Sequence, residues 1–151
     1  MIDELEALLR IVAAAVAGGV IGLEREVAHK PAGVRTFSMV ALGAATFVIL
    51  GSLAFGGGDP GARVAAAIIS GVGFLGAGAI IQRGNGDVVG LTTAAGIWGA
   101  AAVGTAFGLG LFILATGATV VMLVVLRVVG VLWDEVAEPK SAEEGGNEQP
   151  G

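Results

Sequence analysis

The side chains of this chain that could do chemistry are a few charged and hydroxyl residues at the ends of long apolar stretches. Glu24 and Arg25 follow the first stretch, and Arg35 with Thr36 begins the second. An arginine guanidinium can bind a carboxylate through two parallel hydrogen bonds, and Glu24 is the nearest partner for Arg35. Charged residues beside apolar spans are costly and often functional. We therefore predict one functional polar cluster with these members: Glu24, Arg25, Arg35, Thr36, Arg63, Thr92 and Thr93.

The same regions also allow purely structural interpretations. Glu26 and Lys30 are four positions apart, a spacing that suits an ion pair on one helix face. Asp59 precedes Pro60 and is a typical N-cap, and Arg63 could pair with it or extend to the lipid headgroups. One of the two adjacent threonines is expected to cap the fourth apolar helix. Lys and Arg at the ends of spans can also serve only to fix their orientation.

The stretch GVGFLGAG at 71–78 contains the G-x-G-x-x-G pattern of dinucleotide-binding loops. Such a loop requires a preceding strand and an acidic residue about 20 positions further on. Here RVAAAIIS continues into the glycines without a turn, Asp87 comes too early, and Asp134 comes too late. The pattern therefore does not indicate a nucleotide site, and the glycines need another explanation.

The composition places the chain in a membrane. Of its residues 55% are hydrophobic and 14% are charged, and the mean hydropathy is +0.88; soluble domains have about 25% charged residues. The chain has no cysteine and one histidine, His29, so thiol nucleophiles and histidine-rich metal sites are excluded, and we expect no enzyme. The net charge of −5 comes largely from the two ends, and no basic face for nucleic acid is present.

Five apolar spans, each near the length of about 20 residues that crosses the hydrocarbon, predict an all-α polytopic membrane helix bundle. The turn signals GGGDP and QRGNGDVVG separate the second, third and fourth spans. The fourth and fifth spans are joined so closely that they form a hairpin. The spans lie at about 5–23, 36–55, 62–81, 91–107 and 109–131.

Lysine and arginine in the short loops set the orientation. The first and third loops and the end of the fifth span carry most of them, which predicts an N-terminus outside and a C-terminus in the cytoplasm. The start has no basic region, so we expect no cleaved signal peptide. Residues 1–133 form the predicted transmembrane domain, and the acidic tail 134–151 is predicted to be disordered and cytoplasmic.

Small residues recur at helical spacings, and in lipid such residues let helix backbones approach each other. The third span holds most of them, so we predict that it is the central helix, in contact on more than one side. A glycine-lined permeation route is the alternative, and Trp98 is interpreted as an internal packing anchor. The predicted packing positions are Gly18, Gly22, Gly71, Gly73, Gly76, Gly78, Gly104 and Gly108.

Four segments together resemble one family of membrane proteins. GLERE at 22–26, KPAGVRT at 30–36, DPGARVAAAIISGVGFLGAGAII at 59–81 and GLTTAAGIWGAAAVG at 90–104 are similar to the MgtC/SapB/YhiD family in order and spacing. The resemblance implies a bacterial inner-membrane protein linked to growth in low magnesium. It also implies binding to other membrane complexes, including the ATP synthase. Many members carry a soluble C-terminal domain, whereas this sequence continues into the acidic tail.

Two functions fit these features. The first is a membrane regulator of magnesium homeostasis that acts through helix contacts with the bilayer-embedded parts of a partner or of a second copy. The alternative is a Mg²⁺ transporter or channel, although the carboxylates all lie near the ends of the spans and Mg²⁺ is usually held by one or two of them. We predict no cofactor other than Mg²⁺, and the sequence assigns no residue to a metal.

Overall fold

The computed structural model describes residues 2–55, 60–84 and 86–130, and these form a bundle of five helices. The helices are α1 (Glu4–Val27), α2 (Val34–Phe55), α3 (Pro60–Gly78), α4 (Leu91–Gly108) and α5 (Phe112–Val124). A π-helical segment, Val125–Val129, continues α5. The strands β1 (Ile81–Gln82) and β2 (Val88–Val89) pair antiparallel between α3 and α4. The five predicted spans are confirmed as helices; the short strand pair and the π-helical segment were not predicted.

Helix α4 lies at the centre of the bundle and contacts α1, α2, α3 and α5. Helix α3 lies at the edge and packs mainly against α2 and α4 among the described helices. The prediction that the third span is central is therefore wrong. The physical reason is that α4 carries small residues around most of its circumference, so several neighbours can approach it at once.

The core of the bundle consists mostly of small side chains, and Phe37, Ile21 and Val48 are among the largest that are fully buried. On α1 and α2 the buried positions recur at the three- and four-residue spacing of one helix face, as Ala14, Ala17 and Ile21 show on α1. Most of the large apolar side chains point outward; Phe74 is 83% exposed and Ile113 is 92% exposed. A protein in water would bury these large residues, so this distribution is that of a bundle surrounded by lipid.

Three segments are long and apolar enough to cross a membrane by length and composition: Glu4–Val27, Val34–Ala54 and Phe112–Val129. In α3 the apolar helix Arg63–Gly78 is shorter. At 1.5 Å per residue the 18 residues of α4 extend about 27 Å, close to the thickness of the hydrocarbon layer. The two shorter helices can lie within the membrane because they pack against the three longer ones, α4 at the centre of the bundle and α3 beside α2 and α4.

Four of the predicted packing glycines lie where two backbones meet. A Cβ at Gly18 would stand 2.9 Å from the Cβ of Ala41, and one at Gly22 would stand 2.7 Å from the carbonyl oxygen of Gly33. A Cβ at Gly104 would stand 2.7 Å from the Cα of Ala41, and one at Gly108 would meet Ala45. Close approach of α1 and α4 to α2 thus requires glycine at these positions.

The glycines of α3 behave differently. A Cβ at Gly71, Gly73 or Gly78 would meet nothing within 4 Å, and one at Gly76 would make only ordinary contact with Ala94. The predicted role of Gly71, Gly73 and Gly78 as packing positions inside this chain is therefore wrong, because α3 is peripheral. The aromatic interpretation also needs correction, since Trp98 is 51% exposed and is not an internal anchor.

A polar contact near the N-terminal end of α1 joins this helix to the turn between α4 and α5. The guanidinium of Arg10 donates a hydrogen bond of 2.9 Å to the carbonyl oxygen of Gly108, at the end of α4, and pairs with Glu6. It also lies against Gly110, whose φ of 79° suits glycine. A cation at a helix C-terminus is favourable because the last carbonyl groups carry partial negative charge.

We expect Gly104→Leu to prevent the bundle from folding. The new side chain would collide with the backbone of Ala41, and overpacking costs about 1–3 kcal/mol even where side chains can adjust. Gly117→Leu is the matched control, since a Cβ at Gly117 meets nothing within 4 Å. The measurement is the yield of monodisperse protein in mild detergent and its thermal midpoint. Equal behaviour of the two variants would show that α2 and α4 are further apart than described.

Candidate functional site

Four parts of the chain meet at one end of the bundle and line a partly polar cleft. They are the end of α1, the loop that follows it, the start of α4 and the π-helical segment. We call this space the basic cleft; its volume is about 600 Å³. Its polar lining consists of Glu24, Arg25, Lys30, Thr92 and Arg127.

Arg25 is the most buried charged residue of the cleft. It is 4% exposed and belongs to the last turn of α1, where a cation is favourable for the helix dipole. Its Nη1 atom lies 3.7 Å from Oε2 of Glu24, which makes an ion pair but exceeds hydrogen-bond distance. Arg25 Nε and Glu24 Oε2 are both buried without a hydrogen-bond partner among the described residues. A guanidinium held in this way retains donor capacity for a ligand.

The loop after α1 is fixed by backbone hydrogen bonds. Lys30 N donates to the carbonyl oxygen of Arg25 at 2.9 Å, and His29 N donates to that of Glu26 at 3.0 Å. His29 adopts a φ of 53°, the left-handed conformation that commonly ends a helix. This turn places Lys30 in the lining of the basic cleft, beside Arg25.

Glu26 connects α1 to the start of α2. Its Oε2 accepts a hydrogen bond of 3.1 Å from the backbone N–H of Val34, the first residue of α2. A carboxylate at a helix N-terminus satisfies a free N–H group and is attracted by the helix dipole. The structure therefore gives Glu26 this role in place of the predicted pair with Lys30. It holds the corner that positions Arg25 and the loop.

The start of α4 supplies the hydroxyl groups. The N-cap is Gly90, with a φ of 92°, and a Cβ there would collide with the carbonyl oxygen of Ala79. The prediction that a threonine caps this helix is therefore wrong, because the strand pair brings the chain in too close for any residue but glycine. Thr92 is exposed and lines the cleft, whereas Thr93 is buried within the bundle.

The π-helical segment forms the remaining wall. A π-turn adds one residue to a helix turn and is frequent at functional sites. Arg127 lies within it and lines the cleft, together with Val125, Leu126 and Val129. Arg127 and Lys30 were not among the predicted cluster residues. Arg127 is the only charge within the fifth apolar span, and that isolation was the available signal.

The predicted cluster is only partly assembled. Glu24, Arg25 and Thr92 line the cleft, but Arg35 and Thr36 are exposed on the first turn of α2 and do not line it. The predicted pair between Arg35 and Glu24 is wrong, because Glu24 lies against Arg25 instead. Arg63 is exposed near the start of α3, at the opposite end of the bundle, and its predicted N-cap partner Asp59 lies outside the described residues.

The charges of the cleft favour an anion. Three cationic side chains stand beside one carboxylate, which leaves two net positive charges on the described lining. Among the described residues no group of three or more histidine, cysteine, aspartate or glutamate side chains could hold a metal ion. A divalent cation such as Mg²⁺ would be repelled by this lining.

Comparison with known proteins gives a consistent match. The model of the MgtC family matches residues 11–134. The chain is 53% identical over 108 residues to Protein MgtC of Brucella abortus (strain 2308), an alignment that covers 72% of this chain and 44% of that protein. It is 47% identical over 116 residues to Protein MgtC of Salmonella typhimurium (strain LT2), covering 77% of this chain and 49% of that protein.

A third relative carries a different name. The chain is 43% identical over 131 residues to "Putative magnesium transporter YhiD" of Escherichia coli (strain K12), covering 82% of this chain and 60% of that protein. The chain thus spans about half the length of the curated relatives it matches. No solved structure matches the chain significantly.

We expect Arg25→Met alone to destabilise the protein and Glu24→Gln with Arg25→Met to restore most of the loss. Removing one member of a buried pair leaves an unpaired charge and costs about 3 kcal/mol, whereas replacing both is often neutral. The measurement is the thermal midpoint of each variant in detergent. A double variant as unstable as Arg25→Met would show that the guanidinium is held for its packing, and the pair would then not explain its burial.

Proposed function

The chain belongs to the MgtC family, and we propose that it is a non-enzymatic membrane regulator of magnesium homeostasis in the bacterial inner membrane. The link to magnesium is supported by the family and by the name of the relative from Escherichia coli. The regulator acts by helix contact with another membrane complex, for which the ATP synthase is a candidate, or with a second copy of itself. The observation that carries this proposal is the unfilled small-residue surface of α3.

The orientation that we propose follows from the charges at the two ends of the bundle. Arg25, Lys30, Arg35, Arg83 and Arg127 all belong to the end where α1 finishes and α2 begins. Lysine and arginine accumulate on the cytoplasmic side of inner-membrane proteins. The basic cleft then faces the cytoplasm and the N-terminus lies outside.

Helix α3 offers two faces to a partner. With 100° between successive residues, Ala66, Ser70, Gly73 and Ala77 form one outward stripe, and all four are exposed. Gly71 lies on the other side of the helix and lines an apolar groove of about 680 Å³ between α2 and α3. Acyl chains gain no particular contact from small residues, whereas a second helix gains close backbone contact.

The groove supports the same interpretation. Its lining is almost wholly apolar and includes the open glycines Gly43 of α2 and Gly71 of α3. Large side chains such as Phe47 and Leu75 also line it. An apolar groove lined by both glycines and bulky side chains fits the ridge of side chains on one further transmembrane helix. The exposed small residues and the groove of α3, which pack against nothing inside this chain, would thus be contact surfaces in a complex.

The alternative function is transport of Mg²⁺ by this chain alone. We expect liposomes that contain only the folded protein to show no Mg²⁺ influx above protein-free liposomes, measured with an internal magnesium dye. The glutamates of α1 lie near its two ends, no group of three or more acidic side chains among the described residues could hold a metal ion, and the cleft repels cations. An ionophore is the positive control. Influx that Arg35→Ala removes would overturn the regulator and establish a transporter.

We expect Gly73→Leu to accumulate and fold normally but to lose function. The leucine has space within this chain but would hold a partner helix away from the stripe. The measurement is growth at limiting magnesium of a strain that depends on the protein, with the amount of membrane protein as reference. Gly117→Leu is the control with the same substitution in α5. Normal growth with the Gly73→Leu variant would show that the stripe on α3 is not needed for function.

A further inference from the structure

The basic cleft is lined by two chemically different kinds of side chain. The cationic groups of Arg25, Lys30 and Arg127 form one kind, and the apolar side chains of Val125, Leu126 and Val129 in the π-helical segment form the other. Guanidinium groups bind phosphate through forked hydrogen bonds, and ammonium groups bind it as point charges. A small free anion would contact the cationic groups and leave the apolar side chains without a function.

The buried guanidinium is an independent sign of a ligand. Arg25 is only 4% exposed and lines the cleft. Its Nε atom is buried without a hydrogen-bond partner among the described residues. Its one close carboxylate, on Glu24, lies beyond hydrogen-bond distance. Burial of such a group is costly unless its charge and donors are satisfied. An anion in the cleft would satisfy them.

The position of the cleft identifies the source of that anion. Two segments that are long enough to span the membrane, Glu4–Val27 and Phe112–Val129, finish at the cleft. The cleft therefore lies at the boundary between the hydrocarbon and the headgroups. Val125 and Val129 are exposed next to it, so an acyl chain can continue along the π-helical segment from a headgroup held by the cations.

We propose that the basic cleft is a binding site for an anionic phospholipid. The phosphate of the lipid binds Arg25, Lys30 and Arg127, and the start of its acyl chain lies against the apolar side chains of the π-helical segment. Thr92 adds a hydroxyl donor at the rim. Basic pockets between membrane helices on the cytoplasmic side are suited to such headgroups. No residue of the stripe on α3 lines the cleft, and the proposal does not depend on the regulatory role.

The test is a titration of delipidated protein in detergent with phosphatidylglycerol, followed by native mass spectrometry. Lys30 and Arg127 are exposed, so Lys30→Met with Arg127→Met should leave the fold intact. Each lost cation should weaken binding about fivefold and the pair about 25-fold. Arg83→Met is the matched control, an exposed arginine at the same end of the bundle but outside the cleft.

The competing sources of phosphate are separated in the same experiment. Phosphatidylcholine, which carries the phosphate without net charge, should bind more weakly, and inorganic phosphate or glycerol phosphate at millimolar concentration should not displace phosphatidylglycerol. Displacement by either soluble anion would show that the cleft binds free phosphate, and it would overturn the proposal of a phospholipid site. Equal binding of phosphatidylcholine, or an equal loss of affinity in Arg83→Met, would overturn the cleft as the site.

Discussion

The close approach of helix backbones around α4 is the constraint on which the rest of the structure depends. Gly104 and Gly108 let α4 lie directly against Ala41 and Ala45 of α2, and Gly18 brings α1 to the same helix. In lipid no gain comes from hiding one apolar side chain from another, so van der Waals contact between backbones has to stabilise the bundle. The corner at Glu26, the contact of Arg10 with Gly108 and the basic cleft all take their geometry from this packing.

Much of the fold could be predicted from the sequence because it rests on local signals. The apolar spans have the length that lipid requires, and the resemblance in four motifs agrees with the family match over residues 11–134. Which helix is central could not be read in the same way. Small residues show that a face can be approached, but Gly73 and Gly104 carry the same signal while only Gly104 has a neighbour. Their difference depends on the arrangement of all five helices.

The site was less predictable, since it joins residues from distant segments. Glu24, Arg25 and Thr92 could be named from the sequence because polar groups beside apolar spans are few, and the structure places all three in the lining of the cleft. Arg35 was misplaced because it lies with Thr36 on the exposed side of the first turn of α2, and Phe37 is the side chain of that turn that enters the bundle. Arg127 lines the cleft because it lies in a π-turn, and the pattern of apolar residues does not predict such a turn. Such irregular turns are set by the surroundings of a helix more than by its composition.

The small-residue core also determines how this sequence can change over generations. In a water-soluble protein the interior accepts large apolar residues of similar volume, and the surface changes freely among polar ones. Here the outer surface can exchange one bulky apolar residue for another, as at Ile113, without altering any contact inside the bundle. Interior positions such as Ala14 and Ala100 have almost no room for a larger substituent. Related sequences should therefore diverge fastest where the residues are largest and keep their smallest residues longest.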